Sequence, residues 1–153
     1  MPSRHVLIAV VVTCGVGTVV AACGSDEESE PVLHRVLTAD LHGAAEVSNG
    51  ARGGSGRAVI RLSPRQGKAC WTLTVEGVDK PLSAHVHRAP SGREGPVVVP
   101  LGDRYASRGC VQVPSKALEA VALRPERYYV NVHTRKHLNG AVRGQLRPRA
   151  DAS

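Results

Sequence analysis

The sequence predicts an all-β fold, an antiparallel, Greek-key-like β-sandwich or barrel of about eight strands with one short helix near 115–123. Three observations lead there. Apolar residues come in short runs, and several of these alternate with polar ones, the pattern of strands with one buried face. Gly, Pro, Asn and Ser break the runs at close spacing. The chain has no Phe, one Trp and three Tyr, so Val, Leu, Ile and Ala must fill the core, and Val favours strands.

The elements follow in order. VLHRVLTADL (32–41) opens the domain, and GRAVIRLSP (56–64) sets Ala58, Ile60 and Leu62 against Arg57, Val59 and Arg61. ACWTLTVEG (69–77) places Ala69, Trp71, Leu73 and Val75 on one face and Cys70, Thr72 and Thr74 on the other. Then come LSAHVHR (82–88), PVVVPL (96–101), CVQV (110–113), RYYVNVHT (127–134) and AVRGQL (141–146), with the turn signal Asn139-Gly140 before the last. PSKALEAVALRPERYY breaks the pattern. Ser115 can cap a helix, Leu118, Val121 and Ala122 form a small apolar face, and Pro125 stops it, so a short helix should close one end of the sandwich. The glycine-rich GARGGSGR (50–57) lies between strands with no helix after it and reads as a flexible loop rather than a phosphate cradle.

The amino-terminal segment reads as a targeting signal. Arg4 precedes an uncharged stretch at 6–22, rich in Val, Ala, Gly and Thr, which fits a secretory signal peptide over 1–22. It ends Val20-Ala21-Ala22-Cys23, which resembles a bacterial lipobox and implies cleavage before Cys23 and lipidation of its sulfur. Cys14 would be discarded with the signal. SDEESE (25–30) has four carboxylates and no apolar side chain, so 23–31 reads as an acidic tether between the membrane and a domain at 32–148, followed by a 149–153 tail. The expected location is the outer face of the cytoplasmic membrane or the cell envelope.

Charge is segregated. Nineteen of the 20 Lys and Arg residues, all but Arg4, lie in 32–149, with eight of the 13 acids. An excess of this sign attracts polyanions. For an exported chain these are anionic envelope polymers or lipid head groups, not nucleic acid. Two cysteines remain in the domain, and export to an oxidising compartment predicts a Cys70–Cys110 disulfide.

The histidines carry what the sequence says about function. Strand alternation puts Ala84 and Val86 on one face of SAHVHR and His85 and His87 on the other. In YYVNVHT, Val130 and Val132 share a face, and Asn131 and His133 the opposite one. With the valines in the core, the three histidines belong outside it. If the two strands are neighbours, His85, His87 and His133 form one patch suited to Zn²⁺ or Cu²⁺, with His137 the first candidate for a fourth ligand.

LHGAAEV (41–47), SGRAVIRL (55–62), CWTLTVEGVD (70–79), SAHVHRAPSGREGPVVVPL (83–101), YYVNVHT (128–134) and NGAVRGQL (139–146), in this order, resemble the CHRD (chordin-type) domain family. The resemblance implies an all-β, Greek-key-like domain and no set activity. Its H-V-H block and late V-H strand are also similar to Cu/Zn superoxide dismutase, where His85 and His87 would match the first two copper ligands and His133 the last. The segment 88–110 has no histidine and Asp103 as its one aspartate, so it cannot supply a second metal site. Three functions are therefore weighed: an anchored binding module holding Cu or Zn, a structural envelope lipoprotein without metal, and a copper-dependent dismutase-like enzyme. No Ser/His/Asp order or carboxylate pair recommends an enzyme, and no catalytic residue is assigned.

Overall fold

The computed structural model describes residues 34–150. Cys23 and the segments read as a signal (1–22) and a tether (23–31) lie outside the described residues. The chain forms a single antiparallel sheet of nine strands: β1 (Arg35–His42), β2 (Ser55–Ser63), β3 (Lys68–Glu76), β4 (Pro81–Arg88), β5 (Val97–Pro100), β6 (Arg108–Gln112), β7 (Tyr128–Thr134), β8 (Val142–Gln145) and β9 (Arg147–Pro148). Their order across the sheet is β5-β4-β7-β8-β1-β2-β3-β6, with β9 also on β1. The pairs His42↔Arg143, Thr38↔Arg147 and Leu37↔Pro148 share one register, so β8 and β9 are a single strand interrupted at Leu146.

The sheet rolls into a nearly closed barrel. The connection from β5 to β6 spans the gap between its edges. On one side Leu101 and Tyr105 donate their N–H groups to Ala84 and Leu82 of β4. On the other, Ser107 accepts from Leu73 of β3, and Ala106 accepts from the Trp71 indole at 2.9 Å. The connection thereby extends the β4–β5 and β3–β6 ladders beyond the short edge strands and covers backbone of β4 and β3 that those strands leave unpaired.

The predicted inward faces fill the barrel. Leu37, Ala39, Ala58, Ile60, Leu62, Ala69, Leu73, Ala84, Val86, Val130 and Val132 are buried, with Trp71 and Tyr128 the large aromatic side chains of the core. Helix α1 (Ser115–Leu123) turns Leu118, Val121 and Ala122 inward. Its first residue is Ser115 itself. Pro114 takes the capping position, and Ala117 and Leu118 donate to its carbonyl, so the expected Ser115 cap is not made. The 50–57 segment also departs from the flexible loop expected of it. Ser55, Gly56 and Arg57 are the start of β2, Ala51 is buried, and its N–H donates to Ala141 at 2.8 Å. Gly50, Gly54 and Gly56 permit close packing there, where an added Cβ would meet neighbouring atoms at 2.3–2.9 Å, and Gly53 supplies a positive φ.

Cys70 and Cys110 stand directly opposite each other on β3 and β6 and are disulfide-bonded, with Cα atoms 4.0 Å apart. That separation is slightly shorter than the usual lower bound of about 4.4 Å. The bridge ties the edge strand β6, which has five residues, to the sheet. Closing a loop of this length stabilises by roughly 4 kcal/mol on the chain-entropy model. A Cys70→Ser/Cys110→Ser variant should therefore lose about 2–4 kcal/mol in urea unfolding. Its earliest gain in amide exchange should fall in 108–112; uniform exchange across the barrel would contradict this placement of the bridge.

Candidate metal centre

The site lies on the outer surface of the barrel, where β4, β7 and β8 run side by side. Register sets its rows. His85 pairs with Asn131, which pairs with Arg143; His87 pairs with Tyr129, which pairs with Gln145; Ser83 pairs with His133. Alternation then puts all eight side chains on one face, outside the valine core. A bulge between β4 and β5 falls at Val86/His87, where the edge strand takes an extra residue.

His85, His87 and His133 form one group, with one ring nitrogen from each lying within 4.8 Å of the others. Nδ1 of His85 is 3.0 Å from Nε2 of His133. Two backbone carbonyls orient the other rings. His87 donates through Nδ1 to Gly95 at 2.8 Å, and His133 donates through Nδ1 to Leu138 at 2.8 Å. Each carbonyl fixes the Nδ1–H tautomer and leaves Nε2 with its lone pair, the arrangement that usually supports a metal-binding imidazole. The proton between His85 and His133 then belongs to His85.

The three histidines lie outside the core, as expected, but loops cover part of this face and shield it from solvent. His85 and His133 are half-buried, but His87 is only 9 % exposed. Its ring stacks on Tyr129 at 4.9 Å between centroids and 7° between planes. The 89–96 loop folds over the pair. Arg143 donates to Pro90 at 3.0 Å, and Gln145 donates to Ala89 and to Glu126, both at 2.8 Å. Gly95 must be glycine for this closure, since a Cβ there would lie 2.0 Å from the carbonyl oxygen of Arg88. Arg143 is on the outer face of β8 but only 2 % exposed, its guanidinium 3.4 Å from the centre of the Tyr129 ring.

His137 does not join the group. The tight turn after β7 bonds its N–H to Thr134 and points its Nδ1 to the Asn49 carbonyl at 2.9 Å. Sequence reasoning also missed three participants. Asn131 is 1 % exposed and its Oδ1 has no protein partner; the same holds for His87 Nε2, Arg143 Nη1 and Glu46 Oε1. Tyr129 supplies the platform. Asn131 and Tyr129 were legible from their alternation with the valines, whereas Glu46 arrives from a loop far away in sequence. Gly140, at φ 134°, makes room for its carboxylate, which a Cβ there would strike.

The matching family model is that of the CHRD domain, over residues 37–146, from the first core leucine of β1 to Leu146 after β8. The chain belongs to the CHRD family. No curated protein and no solved structure matches it. The CHRD match spans every strand that builds the histidine face.

Burial and neighbouring imidazoles push the His85 pKa down to about 4, and His133 is lowered chiefly by burial. Burial pushes Glu46 up to about 7, against the pull of Arg143. These two groups drive stability in opposite directions. The unfolded chain binds the His85 proton more readily, so His85 removes stability as pH falls from about 6.5 toward 4. The folded chain holds the Glu46 proton more tightly, so Glu46 removes stability as pH rises from about 4.5 to 7. Both side chains are partly exposed, and solvent screening limits each effect to on the order of 1 kcal/mol. In metal-free protein, Glu46→Gln should make stability rise more steeply with pH than in wild type between 4.5 and 7, and His85→Gln should make it rise less steeply than in wild type between 4 and 6.5. Urea midpoints whose slopes change in the same direction in both variants would contradict these assignments.

Proposed function

We propose that this CHRD domain is an extracytoplasmic binding module that holds one Cu²⁺ or Zn²⁺ ion on His85, His87 and His133. One observation carries the reading: Nδ1 of His85 and Nε2 of His133 are 3.0 Å apart, with the third imidazole in reach. Ligand nitrogens at about 2.0–2.1 Å from a shared ion lie roughly 3–3.5 Å apart. The ion would take the place of the proton between the two rings, bound by Nδ1 of His85 and Nε2 of His133 and His87. The Nδ1–H groups of His87 and His133 would keep their carbonyls. Neutral imidazoles without thiolate or carboxylate suit Cu²⁺ and Zn²⁺, and copper leads the affinity order. Three protein ligands leave a position for water.

A dismutase-like enzyme has less support. Among the described residues this is the one group of three or more His, Cys, Asp or Glu side chains disposed for a metal, so a two-metal centre has no second set. The alternative without metal, in which the histidines serve only the fold, rests on the burial of His87 against Tyr129.

Calorimetry of the 34–150 segment, which contains the whole sheet and core, tests the proposal. Binding should be stoichiometric at micromolar Cu²⁺ or Zn²⁺ and should weaken as pH falls through about 6.5, where protons compete for imidazole. His85→Ala and His133→Ala should each lose at least tenfold in affinity and keep the fold. His87→Ala should lose affinity and also about 1–2 kcal/mol of stability, because it removes a buried ring and its hydrogen bond. No binding at micromolar concentration would return the three rings to a structural role.

The reading includes export, anchoring through lipid on Cys23, and contact of the basic domain with anionic envelope polymers or lipid head groups. Its support is the V-A-A-C sequence, the acidic tether and the positive charge of the domain. Cys23→Ser should release the protein from the membrane fraction or block its processing; a variant that partitions like the wild type would contradict the anchor.

A further inference from the structure

We infer that Asn131 is a further ligand of the ion, its carboxamide Oδ1 binding from the barrel side beneath the three imidazoles. The inference rests on the metal reading proposed above and adds a residue to it. Strand register puts Asn131 at the centre of the outer face. It stands opposite His85 on β4 and opposite Arg143 on β8. His133 and Tyr129 lie two positions away on its own strand and share its side. His87, opposite Tyr129, is its diagonal neighbour. Opposite side chains in an antiparallel pair have Cβ atoms about 4.5–5.5 Å apart, and diagonal ones are about 7–8 Å apart. All three imidazoles are therefore rooted around one short carboxamide.

Burial makes that carboxamide the floor of the group. Asn131 is almost wholly buried, whereas His85 and His133 are half-buried. Outside the core such burial comes from the side chains and loops that pass over it. No protein group partners Oδ1. Arg143, the neighbouring donor, turns its guanidinium to the Pro90 carbonyl and the Tyr129 ring instead. Nε2 of His87 is in the same condition, buried and without a protein partner. Its Nδ1 donates to Gly95, so Nε2 carries a lone pair. Two buried lone pairs in one polar layer, one oxygen and one nitrogen, both lack a donor. A cation that accepts from both satisfies them together.

The donor set suits copper. Cu²⁺ takes imidazole nitrogens in its strong positions and tolerates a weaker axial oxygen from a carboxamide or backbone carbonyl. Oδ1 supplies that oxygen from the barrel side, and water keeps the side toward solvent. Asn131 also separates His85 from Arg143, which leaves the guanidinium one strand further from the ion.

The test uses the 34–150 segment with Cu²⁺ as the probe, and reads calorimetric affinity beside the urea midpoint of metal-free protein. Asn131→Leu keeps the approximate size of the side chain and removes the oxygen. It should weaken Cu²⁺ binding by about tenfold, the low end of what loss of a metal-site partner brings. Its metal-free midpoint should stay level or rise, because an apolar group replaces a buried acceptor that has no donor. Asn131→Asp keeps the oxygen and adds charge. It should bind Cu²⁺ at least as tightly as wild type near neutral pH, with a lower metal-free midpoint, because a carboxylate is now buried. A leucine variant that binds Cu²⁺ like wild type would overturn the role of Asn131 and leave the three-histidine site standing. So would a metal-free leucine variant less stable than wild type, which would give Oδ1 a bound water and a purely structural task. No Cu²⁺ binding by wild type would overturn the metal reading itself, and this inference with it.

Discussion

The candidate site depends on the antiparallel pairing of β4 with β7. Opposite residues in such a pair stand about 5 Å apart, and side chains alternate between faces. With Val86 against Val130 and Ala84 against Val132 in the core, His85, His87 and His133 have to emerge on the same outer patch. A slip of one residue would bury the imidazoles and expose the valines, so the hydrophobic effect that fixes the core also fixes the histidine geometry. The patch needs no separate stabilisation to exist.

What the pairing does not supply is the orientation of the rings, and the loops supply that. Each of two histidines is held by a carbonyl from the loop that follows its own strand, Gly95 for His87 and Leu138 for His133. The 89–96 loop is in turn fixed by Arg143 and Gln145 from β8. The outcome is a polar layer outside a valine-rich barrel, with Arg143 and Asn131 almost wholly buried in it. Buried polar groups left unpaired cost about 1–3 kcal/mol each, so the unpartnered atoms of His87, Asn131, Arg143 and Glu46 are places where bound water or a ligand would stabilise the domain.

Much of this was legible in the sequence, for reasons that differ by residue. The strands could be read because one face of each meets the core, and the same alternation gave the sides of His85, His87 and His133. The short helix was legible from Leu118, Val121 and Ala122, and the disulfide from the presence of two cysteines in a domain whose leader reads as an export signal. The burial of His87 and Arg143 was not legible, because it comes from a loop whose path depends on Gly95 and on contacts with β8. Glu46 and Asn49, which draw the turn residues Gly140 and His137 into the structure, are separated from them by some ninety positions, and no local pattern records that approach. Sandwich and barrel were both open to the sequence, and the choice of one rolled sheet was not legible, since alternation tells which side of a strand faces the core but not how the edges close.

The most direct measurement of the central claim is nitrogen-15 spectroscopy of the imidazoles before and after addition of Zn²⁺. In the metal-free domain His85, His87 and His133 should all carry their proton on Nδ1. With Zn²⁺ bound, His87 and His133 should keep Nδ1–H and shift at Nε2, and His85 should move its proton to Nε2 and shift at Nδ1. Ring nitrogens unchanged by Zn²⁺, or a metal-bound His133 that has lost its Nδ1 proton, would contradict the account.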